Sequence, residues 1–415
     1  MSPTTIPAAA HSDEAARLRS ISFLNLAHAL DHFVLLIYPT VVIGLEVVYG
    51  LPYSELIALS STAFIAFGVF SLPAGWLADR WSRRNMMALF FFGCGVSLIA
   101  VGLAPNLTML SVAMFALGVF SAIYHPVGMA MLIEASGANG RPMGRTLAFN
   151  GVCGNLGVSL AAGISAALAY WIDWRAAFYV PAVVLIGSGV FYVWLTPDDA
   201  HHAKKRVTKA AVPLTPKVAV MLFGLFLLIA ISSGMVFNVL TIALPKIVDE
   251  GMAKDVPLVL IGSVATGVLM CGALAQLSVG RLVEWVTPHM MFAIITGLGL
   301  AGNLWAAYAS GVWLMVALAI AVAAIYGQVT VNDMILARYT ADAWRCRVYA
   351  VRYFTLFISA GLAVAMIALL HQSGGFGLVL AANSVLALFM FLSTLGLVSL
   401  IINIEHRHAA AQPAE

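Results

Sequence analysis

Twelve stretches of this chain are long and apolar enough to cross a lipid bilayer, and that leaves few folds open to it. A crossing helix needs about 20 consecutive, mostly apolar residues. Such runs occupy 20–45, 56–77, 85–104, 107–134, 146–170, 176–196, 218–247, 258–280, 290–309, 313–338, 346–370 and 376–402. Only 9% of the residues are charged and 62% are hydrophobic, whereas a soluble domain carries about 25% charged residues. Lipid must therefore act as part of the solvent. Inside lipid, only helices and closed barrels satisfy their own backbone groups. Runs of this length predict an all-α membrane protein of twelve transmembrane helices.

The one extended polar interior segment, PDDAHHAKKRVTKAAVPLTPK at 197–217, divides the runs into six and six. We expect an N-terminal six-helix bundle at 1–196, a cytoplasmic linker at 197–217, a C-terminal six-helix bundle at 218–402 and a cytoplasmic tail at 403–415. Lysine and arginine set the orientation. Loops on the side of the N-terminus hold Arg80, Arg83, Arg84, Arg141, Arg145, Lys204, Lys205, Arg206, Lys209, Lys217, Arg281, Arg338, Arg345 and Arg347. The opposite loops hold only Arg175, Lys246 and Lys254. Both termini are thus expected in the cytoplasm, with the chain in a plasma membrane of the bacterial inner-membrane kind. The polar N-terminus leads into a run too long for a signal-peptide core, so it is expected to be retained. The four cysteines are scattered singly, without CxxC spacing, and predict neither a disulfide framework nor a zinc site. No basic stripe with interleaved aromatics points to nucleic acid.

The two halves repeat. GWLADRWSRR (75–84) follows the second run and GRLVEWVTPH (280–289) the eighth, 205 residues later. AIYHPV (122–127) in the fourth run is matched by AIYGQV (324–329) in the tenth, at an offset of 202. Two signals at nearly one offset argue for a duplicated six-helix unit, as in transporters whose substrate binds between two rocking halves.

The segment GWLADRWSRR resembles the loop signature of the major facilitator superfamily, Gly-x-Leu-x-Asp-Arg-x-Gly-Arg-Arg, with Ser82 at the usual glycine. The resemblance takes in essentially the whole chain and implies the major facilitator fold, two pseudo-symmetric six-helix bundles. A finer resemblance, carried by AIYHPVGMAML (122–132), His28-x-x-Asp31-His32 and GNLG (154–157), is to bacterial efflux proteins of the fosmidomycin-resistance type. Those have His-x-x-Asn-Asp in the first span and aromatic-His-Pro-Glu in the fourth. Here Asp31-His32 replaces Asn-Asp and Val127 replaces the glutamate. Asn155 stands where drug antiporters of the family have proline.

The resemblance implies a cytoplasmic gate built from Gly75, Asp79, Arg80, Arg83 and Arg84, with Gly280 and Glu284 as its second copy. Asp79 would accept backbone N–H groups at the start of the eleventh helix near Cys346, where the helix dipole favours negative charge. Glu284 would do the same against the fifth helix near Arg145. The alternative is that residues 80–84 only anchor the loop in the cytoplasm. Asp333 and Arg352 lie roughly 8–9 Å inside that same face by helical rise. They form either a structural ion pair or a site for protons or an anionic substrate.

His28, Asp31 and His32 fall at i, i+3 and i+4 and share one helix face. They lie about 12–18 Å from the cytoplasmic face, and His125 about 14 Å from it, so His125 can meet them near mid-membrane. Pro126 favours a kink there. Three readings stay open. Asp31 carries a proton with His28, His32 and His125 as relay partners; the four residues hold a metal or metal chelate; or they form an interhelical hydrogen-bond network without a transport role. The first is the one we carry forward, because ionisable groups inside a membrane are functional by default. Asn25, Tyr38, Tyr124, Asn150, Asn155, Asn238, Gln328 and Asn332, with Asp333 and Arg352, are the expected lining of a substrate cavity.

These readings converge on a proton-coupled secondary transporter, an antiporter exporting a small polar or amphipathic organic compound. Uptake of a small organic acid or metal chelate with protons is the alternative, and a non-transporting sensor a remote one. No nucleophile–base motif or cofactor fingerprint stands out, so we expect no enzyme, no cofactor and no resident metal. The expected partners are protons, a small-molecule substrate and the lipid bilayer, with no nucleic acid, and the expected state is a monomer.

Overall fold

Every element in the computed structural model is helical. It describes residues 8–137, 143–196, 215–253, 255–340 and 342–411, with side chains for all of these but 8–13, 137, 143–144, 337, 342–347, 349–350, 353 and 407–411. Most of the expected linker, 197–214, lies outside the described residues. The elements run α1 (Ala8–Tyr49), α2 (Tyr53–Ala58), α3 (Ser61–Arg80), α4 (Arg83–Leu103), α5 (Leu107–Ser121), a π-helical turn (Tyr124–Gly128), α6 (Met129–Gly137) and α7 (Met143–Trp171). They continue with α8 (Ala176–Leu195), α9 (Pro216–Gly251), α10 (Leu258–Leu282), α11 (Pro288–Ala306), α12 (Gly311–Tyr339) and α13 (Asp342–Ala411).

Among the described residues, eleven helical stretches are long and apolar enough to cross a membrane. The last of them, Phe354–His406, has 53 residues, which as one straight helix would reach about 80 Å across a hydrocarbon core of about 30 Å. It is broken at Gly374 and Gly375, the latter at φ 64°. Glycine takes this left-handed backbone without a Cβ clash. The break divides α13 into two arms, so the helices supply about the twelve crossings expected, and it falls between the expected spans 346–370 and 376–402. The expected fourth span, 107–134, is α5, the π-turn and α6 in succession.

Local chemistry sets the helix ends. Ser82 Oγ accepts from Asn85 N–H at 3.2 Å and Asn106 Oδ1 from Met109 N–H at 2.9 Å, capping α4 and α5. Pro216 and Pro288 open α9 and α11 where a missing N–H leaves nothing unpaired. Large apolar side chains stand exposed along the spans, among them Leu72, Val96, Val183, Leu298 and Phe389, as a surface facing lipid requires.

The helices form two compact units. One contains Met1–Val41 and Thr62–Lys204, the other Val42–Ser61 and Lys205–Glu415. The end of α1 and the short α2 therefore belong with the second unit, where Lys246 of α9 pairs with Glu46 and with Asp249 at 2.9 Å. The sequence reading placed Lys246 in a loop. It lies inside α9 and is buried, because three carboxylates (Glu46, Asp249 and Glu250) gather around its ammonium.

In the first unit, small residues let helices approach closely. A Cβ at Gly118 of α5 would lie 2.0 Å from the Ala63 carbonyl oxygen of α3, and one at Gly157 of α7 would lie 2.0 Å from the Ala29 carbonyl oxygen of α1. In the second unit, buried Asn383 donates to Asn303 Oδ1 at 2.8 Å, which joins α13 to α11. We expect Gly118→Ala to lower stability by about 1–3 kcal/mol, since the added methyl meets backbone. Gly44→Ala, with nothing within 4 Å, should be neutral or slightly stabilising. Thermal unfolding of the two purified variants in detergent checks the difference.

Candidate functional site

The first unit brings together the four ionisable residues singled out in the sequence. α1 presents His28, Asp31 and His32 on one face, and the π-turn presents His125 to them. The ring centroids of His28 and His32 are 5.0 Å apart, His28 and His125 5.4 Å, and His32 and His125 5.3 Å. His125 Nε2 lies 3.3 Å from Asp31 Oδ2. Asp31 is sealed from solvent, with 0% exposure.

The turn that carries His125 departs from plain α-helix. Pro126 has no N–H to donate and its ring crowds the preceding turn. The chain responds with a π-helical turn over Tyr124–Gly128, a distortion that often accompanies functional sites. This is the structural form of the kink expected at Pro126.

Asn150 of α7 ties the site together. Its Nδ2 lies 3.0 Å from Asn25 Oδ1, 3.0 Å from the Tyr124 hydroxyl and 3.4 Å from the Leu24 carbonyl. The Asn150 backbone carbonyl accepts from His28 Nδ1 at 2.8 Å. A donor at Nδ1 leaves Nε2 of the neutral ring as an acceptor, so the fold selects one tautomer of His28. Tyr124 stacks on His28 with centroids 4.8 Å apart. Gly154 supplies room, since a Cβ there would stand 2.6 Å from the His28 ring. Tyr38 is buried on α1 and Asn155 half-buried on α7.

Two groups in this site went unnoticed in the sequence. The Ser121 hydroxyl faces the Asp31 carboxylate, and Cys94 Sγ lies 3.5 Å from Ser121 Oγ. A serine and a cysteine in apolar spans carry no signal by themselves. Only the packing of α4 and α5 on α1 sets them beside Asp31.

The ligand nitrogens of His28, His32 and His125 lie within 4.8 Å of one another. A tetrahedral divalent ion with metal–nitrogen bonds of about 2.0–2.1 Å would draw such atoms to about 3.4 Å apart. The spread of up to 4.8 Å is looser than that, so the three rings would have to draw in to hold an ion.

The remaining expected cavity residues lie in the second unit. Asn238 of α9 donates to the Gly234 carbonyl at 2.8 Å and to Ser359 Oγ at 3.1 Å, pinning α9 to α13. Gln328 and Asn332 are buried on α12. Asp333 and Arg352 are joined in an ion pair, with the arginine side chain 14% exposed. The gate residues divide similarly. Asp79 accepts from Arg83 at 3.0 Å, and Arg83 reaches Glu134 of α6 at 3.1 Å, a partner the sequence reading missed. Arg80 stacks on Trp76 at 4.0 Å. Arg84 donates to the Val193 and Thr196 carbonyls at the end of α8, satisfying acceptors that the helix leaves open. Gly280 and Glu284 are exposed at the end of α10, and the side chain of Cys346 lies outside the described residues.

The family model described as Major Facilitator Superfamily matches residues 21–285. The chain belongs to the major facilitator superfamily. A probable L-galactonate transporter of Escherichia coli (strain K12) is 27% identical over 152 residues, 37% of this chain and 33% of that protein. A puromycin resistance protein, pur8, of Streptomyces alboniger is 34% identical over 125 residues, 29% of this chain and 24% of that protein. The matched part is thus about a third or less of either relative. A bacterial homolog to the human lysosomal transporter Spinster, in an inward-facing and unoccupied conformation, is 14% identical with a TM-score of 0.69, covering 94% of this chain and 95% of that one. It shows the fold. The chain is accordingly an integral membrane protein of a transporter superfamily.

Within this facilitator the Asn150 contacts generate a direct expectation. Asn150→Ala removes bonds to α1 and to the π-turn at once and leaves buried groups unpaired. The loss should be about 1–3 kcal/mol, read as a lowered thermal midpoint of the purified protein.

Proposed function

We propose that this facilitator is a proton-coupled antiporter that exports a small polar or amphipathic organic compound by alternating access. The observation that carries the reading is Asp31, a carboxyl with 0% exposure, 3.3 Å from His125, itself one of three clustered imidazoles. Such a group is costly to keep in a membrane interior. It is useful where a proton and a substrate compete for one site or drive one equilibrium. His125, 3.3 Å away, and His28 and His32 are the relay partners. Asn25, Tyr38, Tyr124, Asn150 and Asn155 of the first unit are our candidates for polar groups that meet the substrate, and in the second unit Asn238, Gln328, Asn332, Asp333 and Arg352 are the candidates.

Export is favoured by the likeness to a puromycin resistance protein and by the resemblance to efflux proteins of the fosmidomycin-resistance type. Proton-coupled uptake of a small organic acid is the second reading, favoured by the likeness to a probable L-galactonate transporter and by the Arg352 guanidinium, which suits a carboxylate. In either case we take the protein to lie in a bacterial inner membrane with both termini in the cytoplasm, an orientation the lysine and arginine distribution supports. Asp79 and Glu284 serve the cytoplasmic gate with Gly75, Arg80, Arg83, Arg84 and Gly280, and the protein works as a monomer.

Purified protein in liposomes with an imposed pH gradient, tested with puromycin and L-galactonate as probes, separates the two directions. Asp31→Asn is expected to lose gradient-driven accumulation at least about tenfold, a barrier change of about 1.4 kcal/mol or more, while substrate counterflow without a gradient persists. Undiminished accumulation in that variant would reject Asp31 as the proton carrier. Transport that stops on adding a chelator and returns with a divalent metal would move the cluster to the metal reading. For the gate, Asp79→Asn should change the accessibility of single cysteines on the two faces in opposite senses, and unchanged labelling on both would remove Asp79 from that role.

A further inference from the structure

The gate signature and the histidine–aspartate cluster meet at one contact. Gly75, read in the sequence as part of the gate, lies against Pro126 of the π-turn. A Cβ at position 75 would stand 3.2 Å from Pro126 Cβ, closer than carbon atoms ordinarily approach, at about 3.5–4.0 Å. A methyl there requires the turn to give way by a few tenths of an ångström. Pro126 directly follows His125, whose Nε2 is 3.3 Å from Asp31. A second residue of α3, Phe67, packs on the His125 ring with centroids 5.9 Å apart. One helix thus supports the turn at two points, once on the imidazole and once on the proline.

We propose that Gly75 is a positioning residue for the proton site. It seats the π-turn at the depth where His125 meets Asp31, and so links the arginine-rich end of α3 to the carboxyl that exchanges the proton. The inference rests on Asp31 being the proton carrier. A π-turn has fewer internal constraints than an α-helix, and a proline within it donates no hydrogen bond. Its position is therefore set largely by what packs on it: Phe90 of α4, His28 of α1 and Asn150 of α7 hold Tyr124, and α3 bears on His125 and Pro126. Asp79 follows Gly75 by one helical turn, so a shift of α3 at its Asp79–Arg83 pair changes the seat of Pro126. The groups facing Asp31 come from several elements: Ser121 of α5, Cys94 of α4 and His125 of the π-turn, whose ring in turn meets His28 and His32 of α1. Of these, His125 is the one whose approach depends on Gly75.

The test needs no substrate. A fluorescent carbodiimide labels protonated carboxyls in apolar surroundings, and mass spectrometry assigns the label on Asp31. Wild type, Asp31→Asn, Gly75→Ala, Pro126→Gly and the Gly75→Ala/Pro126→Gly pair are reconstituted in liposomes and labelled across a pH series. Gly75→Ala pushes the turn away and Pro126→Gly leaves it loose. Each should move the half-labelling pH by about half a unit or more, since the close approach of the imidazole to the carboxyl is changed. The pair moves the methyl from one side of the contact to the other and should return the profile toward wild type, a rescue that general damage to the fold does not give. Single variants with the wild-type profile, or a pair no nearer to wild type than either single, would overturn the role of Gly75 while leaving Asp31 as the carrier. A wild-type Asp31 that takes no label at any pH would instead reject the carrier, and this inference with it.

Discussion

Lipid offers no hydrogen bonds, and the rest of this structure follows from that lack. Each backbone group must be paired within its own segment, so the described elements are all helical. Each polar side chain must find a partner in the protein or on another helix. The partners found are consequential because they are few. Asn150 holds α1, the π-turn and α7 in register. Asn238 holds α9 to α13, and Asn303 with Asn383 holds α11 to α13. Asp31 departs from this pattern. It is fully buried, and the groups that meet it are the Ser121 hydroxyl and the His125 imidazole, not a lysine or arginine.

The crossings were legible because their signal is a length of apolar sequence, and length is robust. The expected break near 370–376 is present as Gly374 and Gly375, and the cluster at His28, Asp31 and His32 follows from helical spacing alone. Contacts that arise from crossing geometry were harder to read. Ser121 and Cys94 are ordinary span residues until α4 and α5 are laid on α1. Glu134 sits where an apolar run was expected to end, and nothing in the run identifies Arg83 as its partner. Lys246 illustrates the opposite error. A lysine near a span end reads as a loop residue, but Glu46 lies 200 positions away and no local pattern announces the pairing.

The site combines two kinds of support. Backbone contacts fix what must stay constant: the Asn150 carbonyl selects the His28 tautomer, and Gly154 keeps the space the ring occupies. The π-turn supplies what can change, since its hydrogen bonding is irregular and its outer surface rests on another helix. A transporter needs both, a rigid frame to recognise and a compliant element to respond. Here they occupy adjacent helices of one unit.

One feature of α1 bears on motion. This 42-residue helix begins in the first unit, and its residues from Val42 onward belong to the second. Pro39 lies inside the helix just ahead of that passage. Proline withholds an N–H from the carbonyl four residues back and weakens the rod where it stands. The helix thus has a weak point along its own axis, about two turns beyond Asp31, where a bend costs less than it does elsewhere in the rod.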